Sequence, residues 1–319
     1  MDYKNGNTSG ERVCGTFQSI WTEYSDRLDR NVYIINATFS VIFCVPTVAI
    51  NLILFVAVCR TSTLRTPSNI LICVLAITDL CVGIVEMIFA GLLFSMITNT
   101  MQTIKCVFAV LSRLLANMFA EMSFLTFTAI SVDKLLMVHF HLRYNTVVTF
   151  PKTLIAVTVI SCLCGGIAAL NFISIKFYTA FIVVITCICF GIVAFISYSK
   201  IYRTVIRHQQ EIHDQTMAVA TREGNNRVLE LARYKKRTFS MMCIYCIFLL
   251  FYIPYILIII IMMTLKQENT TLAVAKIYSI TFIFLNSFVN PLLICSTMRE
   301  IRKEMRHMLS ITKQKTNGT

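Results

Sequence analysis

Apolar residues gather in seven long runs along this chain, separated by short polar segments. The runs cover residues 32–58, 70–97, 107–138, 154–173, 177–201, 239–265 and 272–295. A bilayer core is about 30 Å thick and takes ~20 residues to cross as helix. Each run reaches that length. In hydrocarbon every backbone amide must be satisfied within its own segment, so runs of this kind form helices. The pattern therefore predicts an all-α fold, a seven-transmembrane helix bundle.

After residue 296 the pattern changes. Met298, Ile301, Met305 and Met308 make an apolar stripe opposite Arg299, Arg302, Lys303 and Arg306, the signature of a helix lying on a membrane surface. Three parts follow: a tail over 1–31, a membrane domain over 32–296, and an interfacial helix with a cytoplasmic tail over 297–319. Composition agrees, with 56% hydrophobic residues, 14% charged and mean hydropathy +0.71. A soluble domain so composed would expose large apolar patches. No linker or internal repeat marks a second domain.

Charge sets the predicted orientation. The tail and the loops on its side carry eight basic residues against six acidic ones, whereas the opposite loops and the C-terminal tail carry nineteen against six. The positive-inside rule places the N-terminus outside and the C-terminus in the cytoplasm. The excess of +13 is thus a topology signal, and no nucleic-acid partner is expected. The tail has no short apolar run with a cleavage site, so the first span serves as its own insertion signal. Asn7 and Asn269 head glycosylation sequons on the outer side, whereas the sequon at Asn36 lies too close to the membrane.

Of thirteen cysteines only Cys14 and Cys106 face the oxidising exterior, as a bridge or as two free thiols. Pro67 and Pro151 start spans two and four, where a missing N–H is harmless. Pro46, Pro254 and Pro291 lie inside spans one, six and seven and kink them.

Charges in hydrocarbon are costly and therefore informative. Span two carries Asp79 and Glu86, seven residues apart and nearly on one face. On span three, Arg113, Asn117, Glu121 and Phe124 follow helical spacing and form a polar stripe. Two readings stand side by side: structural pairing, Glu86 with Arg113, or contacts to a ligand.

These residues bring a family into view. Asn51, the run Leu75-Ala76-Ile77-Thr78-Asp79, Asp133-Lys134, Tyr198, Pro254 and Asn290-Pro291 resemble, in order and placement, the landmarks of rhodopsin-like (class A) G-protein-coupled receptors over residues 32–309. The resemblance implies a plasma-membrane receptor that couples an extracellular ligand to a heterotrimeric G protein. It implies an allosteric sodium ion held by Asp79, Ser123, Asn286, Ser287 and Asn290, and no other cofactor. It also implies a coupling and switch set of Asp133, Lys134, Tyr198, Phe248, Pro254 and Pro291.

The departures count as well. Lys134 stands where the family has arginine, and lysine lacks the planar fork that bonds several carbonyls at once. Tyr252 replaces the usual tryptophan of span six, and Ile294 the tyrosine after Asn290-Pro291. Residues 171–176 form a short second outer loop without cysteine, similar to the melanocortin and lysophospholipid branches and, more loosely, the adenosine receptors. Ala116 occupies the place of an amine receptor's aspartate, and no lysine in span seven offers a retinal Schiff base.

The ligand contacts expected are Glu86, Arg113, Asn117, Glu121 and Tyr252. The rival expectation is a receptor-like protein that no longer couples and acts by heterodimerisation or ligand sequestration. An enzyme is not expected. The five histidines all fall on the inner side, no nucleophile–base constellation stands out, and neither inverted repeats nor a polar ring points to transport.

Overall fold

The computed structural model describes residues 28–61, 66–140, 143–169, 246–262 and 269–317, with Cys14, Leu64 and a few isolated positions besides. Tyr198, Asn7 and the basic cluster at 233–237 lie outside the described residues, as does the side chain of Lys134.

Eight helices are used below. They are α1 (Arg30–Arg60), α2 (Pro67–Ile97), α3 (Gln102–Phe140), the single turn α4 (Tyr144–Val147) and α5 (Phe150–Ala169), then α6 (Cys246–Met262), α7 (Thr270–Thr297) and α8 (Arg299–Asn317). Five of them are long and apolar enough to cross a membrane, and α6 is a shorter apolar helix. Among the described residues there is no strand. The fifth predicted span lies almost wholly outside them.

Local chemistry sets the helix ends. The Asp29 carboxylate accepts from Asn31 N–H at 3.0 Å and caps α1. Thr66 caps α2, accepting from Asn69 N–H at 3.3 Å, with Pro67 in the first turn where no N–H is missed. Between α2 and α3, Asn99 takes a left-handed φ of 48°, tolerable for asparagine, and Lys105 Nζ donates to its side-chain oxygen at 2.7 Å. Extended Met298 ends α7 and turns the chain into α8.

Large apolar residues such as Val41, Ile42 and Val45 on α1, Ile84, Met87 and Phe94 on α2, and Ile155 on α5 stand exposed. These are the lipid-facing surfaces that the length of the helices demands. Inside, the core divides in two. An inner cluster joins Leu54, Leu75, Phe124, Phe127 and Phe248. An outer cluster joins Tyr33, Val85, Phe89, Leu92 and Phe284. Ile301 of α8 is fully buried and Met305 nearly so, both within the inner cluster, while Arg299, Lys303 and Arg306 are exposed. The apolar stripe of the last helix thus faces the bundle as its spacing requires.

Helices α1 and α2 approach closely at Gly83. A Cβ there would lie 2.8 Å from Val48 Cγ2 and 3.3 Å from the Cys44 carbonyl oxygen, so only glycine fits without a shift. At the outer end Cys14 and Cys106 are joined in a disulfide 92 residues apart in sequence. The bridge, not the pair of free thiols, is the state of these cysteines.

Candidate functional site

A polar layer separates the two apolar clusters, and Asp79 is its centre. Its side chain is fully buried. Ser123 Oγ of α3 donates to Asp79 Oδ1 at 3.2 Å and Ser287 Oγ of α7 to the same oxygen at 2.9 Å. Asn290 Nδ2 donates to Oδ2 at 2.9 Å. One carboxylate therefore ties three helices together. Bonds to a charged acceptor are worth about 1.5–3 kcal/mol each, and leaving such a group unmet costs as much again.

Asn51 of α1 extends this layer, donating to the Ser287 carbonyl at 3.0 Å and to its own Thr47 carbonyl at 2.9 Å. Asn286 is buried beside Ser287 but makes no hydrogen bond to Asp79. Both of its amide atoms, and Asn290 Oδ1, lack partners. Four of the five residues of the expected set, Asp79 included, are thus bonded together, and the fifth, Asn286, is adjacent.

Beside that layer an aromatic stack links α3 to α6. Phe248, fully buried, stacks on Phe127 at 5.1 Å and on Tyr252 at 4.8 Å between ring centroids, with Phe124 tilted against both at 5.6 and 6.0 Å. Offset stacks of this kind add ~0.5–1.5 kcal/mol per pair. Tyr252 OH donates to the Ala120 carbonyl at 3.4 Å. Pro254 follows two residues later within α6, and Pro291 follows Asn290 within α7.

At the inner end of α3, Asp133 is held by two hydroxyls. Ser68 Oγ donates to its Oδ2 at 2.6 Å and Tyr144 OH to its Oδ1 at 2.5 Å. Neither donor was expected from the sequence: Tyr144 follows Asp133 by eleven residues, a spacing that no local motif marks.

The outer candidates part company. Glu86 is buried to 1% exposure, and its Oε2 has no hydrogen-bond partner among the described residues. Glu86 lies one turn along α2 from Gly83, the contact with α1, and within electrostatic reach of Cys44. Glu121 is buried, whereas Arg113 and Asn117 are half-buried further out along α3. Asn269 starts α7, exposed, with no side-chain cap bond.

Residues 50–177 and 170–293 match the model of the 7 transmembrane receptor (rhodopsin family). The chain belongs to that family. The receptor's fold is similar to that in the crystal structure of squid rhodopsin, with a TM-score of 0.72 over 89% of this chain and 87% of that one, at 16% identity. No sequence among the curated proteins matches it. The receptor is a multi-pass membrane protein of a signalling family, and that family is not one of enzymes.

Proposed function

We propose that this protein is a G-protein-coupled receptor of the plasma membrane, its N-terminus extracellular and its C-terminus cytoplasmic. It passes an extracellular ligand signal to a heterotrimeric G protein by helix rearrangement. The observation that carries this reading is the Asp79 node, where Ser123, Ser287 and Asn290 bind one carboxylate across three helices. It lies next to the aromatic stack on proline-bearing α6. A node of that kind has discrete arrangements, which a receptor needs to hold two states.

The ligand meets Glu86, Arg113, Asn117, Glu121 and Tyr252 from the outer side. It acts by binding the active conformer better than the inactive one. Helix α6 then pivots near Pro254, α7 yields at Pro291, and Phe248 slides in the stack. The inner cleft, formed by Asp133, Lys134, Tyr198 and the basic inner loop, receives the G protein. Exposed Asn269 and outer Asn7 carry glycans.

The residues around Asp79 fit the sodium ion that the family implies. They offer a carboxylate, two hydroxyls and unpartnered amide oxygens of Asn286 and Asn290, oxygen donors suited to a hard cation. When bound, the ion supplies positive charge that offsets the buried carboxylate. The expected result is a melting temperature that rises with sodium, by less in Asp79→Asn. A response unchanged by that substitution sinks the site.

A second reading is favoured by Ile294, buried where the family keeps a tyrosine, and by Lys134. In it the chain pairs with another receptor or sequesters ligand without coupling. One experiment separates the two: G-protein activation in cells by the wild type, Lys134→Arg and Lys134→Ala, with and without a ligand panel. A wild-type signal lost in Lys134→Ala upholds the coupling receptor. Signal in the arginine variant alone, or in none, favours the non-coupling one.

A further inference from the structure

Serines and threonines within helices of this receptor mostly donate to a carbonyl three or four residues back. Thr38, Thr78, Ser95, Thr128 and Thr281 do so. Hydroxyls turned from their own backbone serve carboxylates instead: Ser123 and Ser287 serve Asp79, and Ser68 serves Asp133. The hydroxyls of two others, Ser40 and Thr47 of α1, are fully buried and have no hydrogen-bond partner among the described residues.

Both stand on α1, the helix that packs against α2 near Glu86, one of four buried carboxylates among the described residues. Gly83 of α2 packs against Cys44, Thr47 and Val48 of α1. The sequential helices run antiparallel, so Glu86, one turn outward on α2, faces the turn of α1 that holds Ser40 and Cys44. Glu86 lies within electrostatic reach of Cys44. A carboxylate at 1% exposure with an unpartnered oxygen is costly unless a cation or donor meets it. Ser40 and Thr47, whose hydroxyls have no partner among the described residues, stand about one turn to either side of Cys44, and Thr47 packs its methyl toward Gly83.

We propose that Glu86, Ser40 and Thr47 form a second monovalent-cation site between α1 and α2, outward of Asp79. One carboxylate and neutral oxygens suit a hard ion of single charge. Among the described residues no cluster of three His, Cys, Asp or Glu exists for a transition metal. The buried face of α1 supplies a polar lane between the sites. Asn36, whose side-chain oxygen accepts from Thr281 Oγ1 at 2.8 Å, stands at its outer end, and Asn51 at the Asp79 layer.

The test is thermal unfolding of the purified full chain in sodium chloride against choline chloride at equal ionic strength, so that screening is constant. Choline is too large for the site. The variants are Asp79→Asn, Glu86→Gln and the double, with Ser40→Ala in the Asp79→Asn background as a milder change. The expected result is a sodium-specific rise in melting temperature that persists in Asp79→Asn and is weakened by Ser40→Ala. It is abolished when Glu86→Gln is added. Loss of all sodium dependence in Asp79→Asn overturns the second site, as does full retention in the double variant or in Ser40→Ala. A response that Glu86→Gln alone removes and Asp79→Asn leaves untouched keeps this site and refutes sodium at Asp79.

Discussion

Of the four buried carboxylates among the described residues, three are handled in three ways. Asp79 receives three donors, Asp133 receives two hydroxyls, and Glu86 keeps one oxygen without a partner. For Asp133 the partner choice bears on signalling. The two hydroxyls occupy both oxygens, so the inner end of α3 is tied to α2 and α4 by neutral donors. Removing the Tyr144 hydroxyl deletes a bond worth about 1.5–3 kcal/mol. If that bond exists in the resting conformer alone, the ratio of active to resting receptor rises roughly ten- to a hundredfold. Tyr144→Phe keeps the ring and its packing. The expected outcome is a raised basal second-messenger level at unchanged surface expression; a basal level equal to wild type shows that the clasp is not a restraint on activation.

At the scale of elements, the closest helix pair is held by the absence of a side chain. Gly83→Val places a branched side chain where a Cβ alone would sit 2.8 Å from Val48 Cγ2. Overpacking of this kind costs typically 1–3 kcal/mol, so the variant melts at lower temperature in detergent. Gly83→Val combined with Val48→Ala should recover part of that loss; no recovery means that the contact is not limiting. Helices of this sort were legible in the sequence because hydrocarbon leaves them no alternative, and five of the seven runs are found as helices within a few residues of the expected bounds, α6 being described over a shorter stretch. α3 runs longer at both ends, from Gln102 to Phe140, and at the outer end Lys105 bonds Asn99 instead of ending it. The stripe of α8 was legible for the same reason of spacing. The direction in which Glu86 points was not. Its face is fixed by the Gly83 contact, and a seven-residue spacing cannot distinguish α1 from α3 as neighbour. Asn51 and Ser68 reach across 236 and 65 residues and Tyr144 across eleven, and no local pattern encodes which carbonyl or carboxylate they meet.

For the whole molecule, the covalent constraint among the described residues is the Cys14–Cys106 bridge. It fastens the chain before α1 to the start of α3, while Leu28, just ahead of α1, is itself buried in the outer apolar cluster. The N-terminal side is therefore anchored at two points, one covalent and one hydrophobic. Closing a loop of 92 residues removes unfolded-state entropy worth up to about 4–5 kcal/mol in the chain-entropy account, which is large beside the stability of a typical domain. The prediction has an internal control. Cys14→Ser, Cys106→Ser and the double substitution remove the same cross-link, so all three should melt at the same lowered temperature and lose their sensitivity to reducing agent. Wild type treated with reductant from the outer side should fall to that temperature too. If the single variants differ from the double by as much as they differ from wild type, each thiol acts on its own and the bridge is not the source of the stability. Equal losses place part of the outer half's rigidity in the tail, upstream of every membrane span.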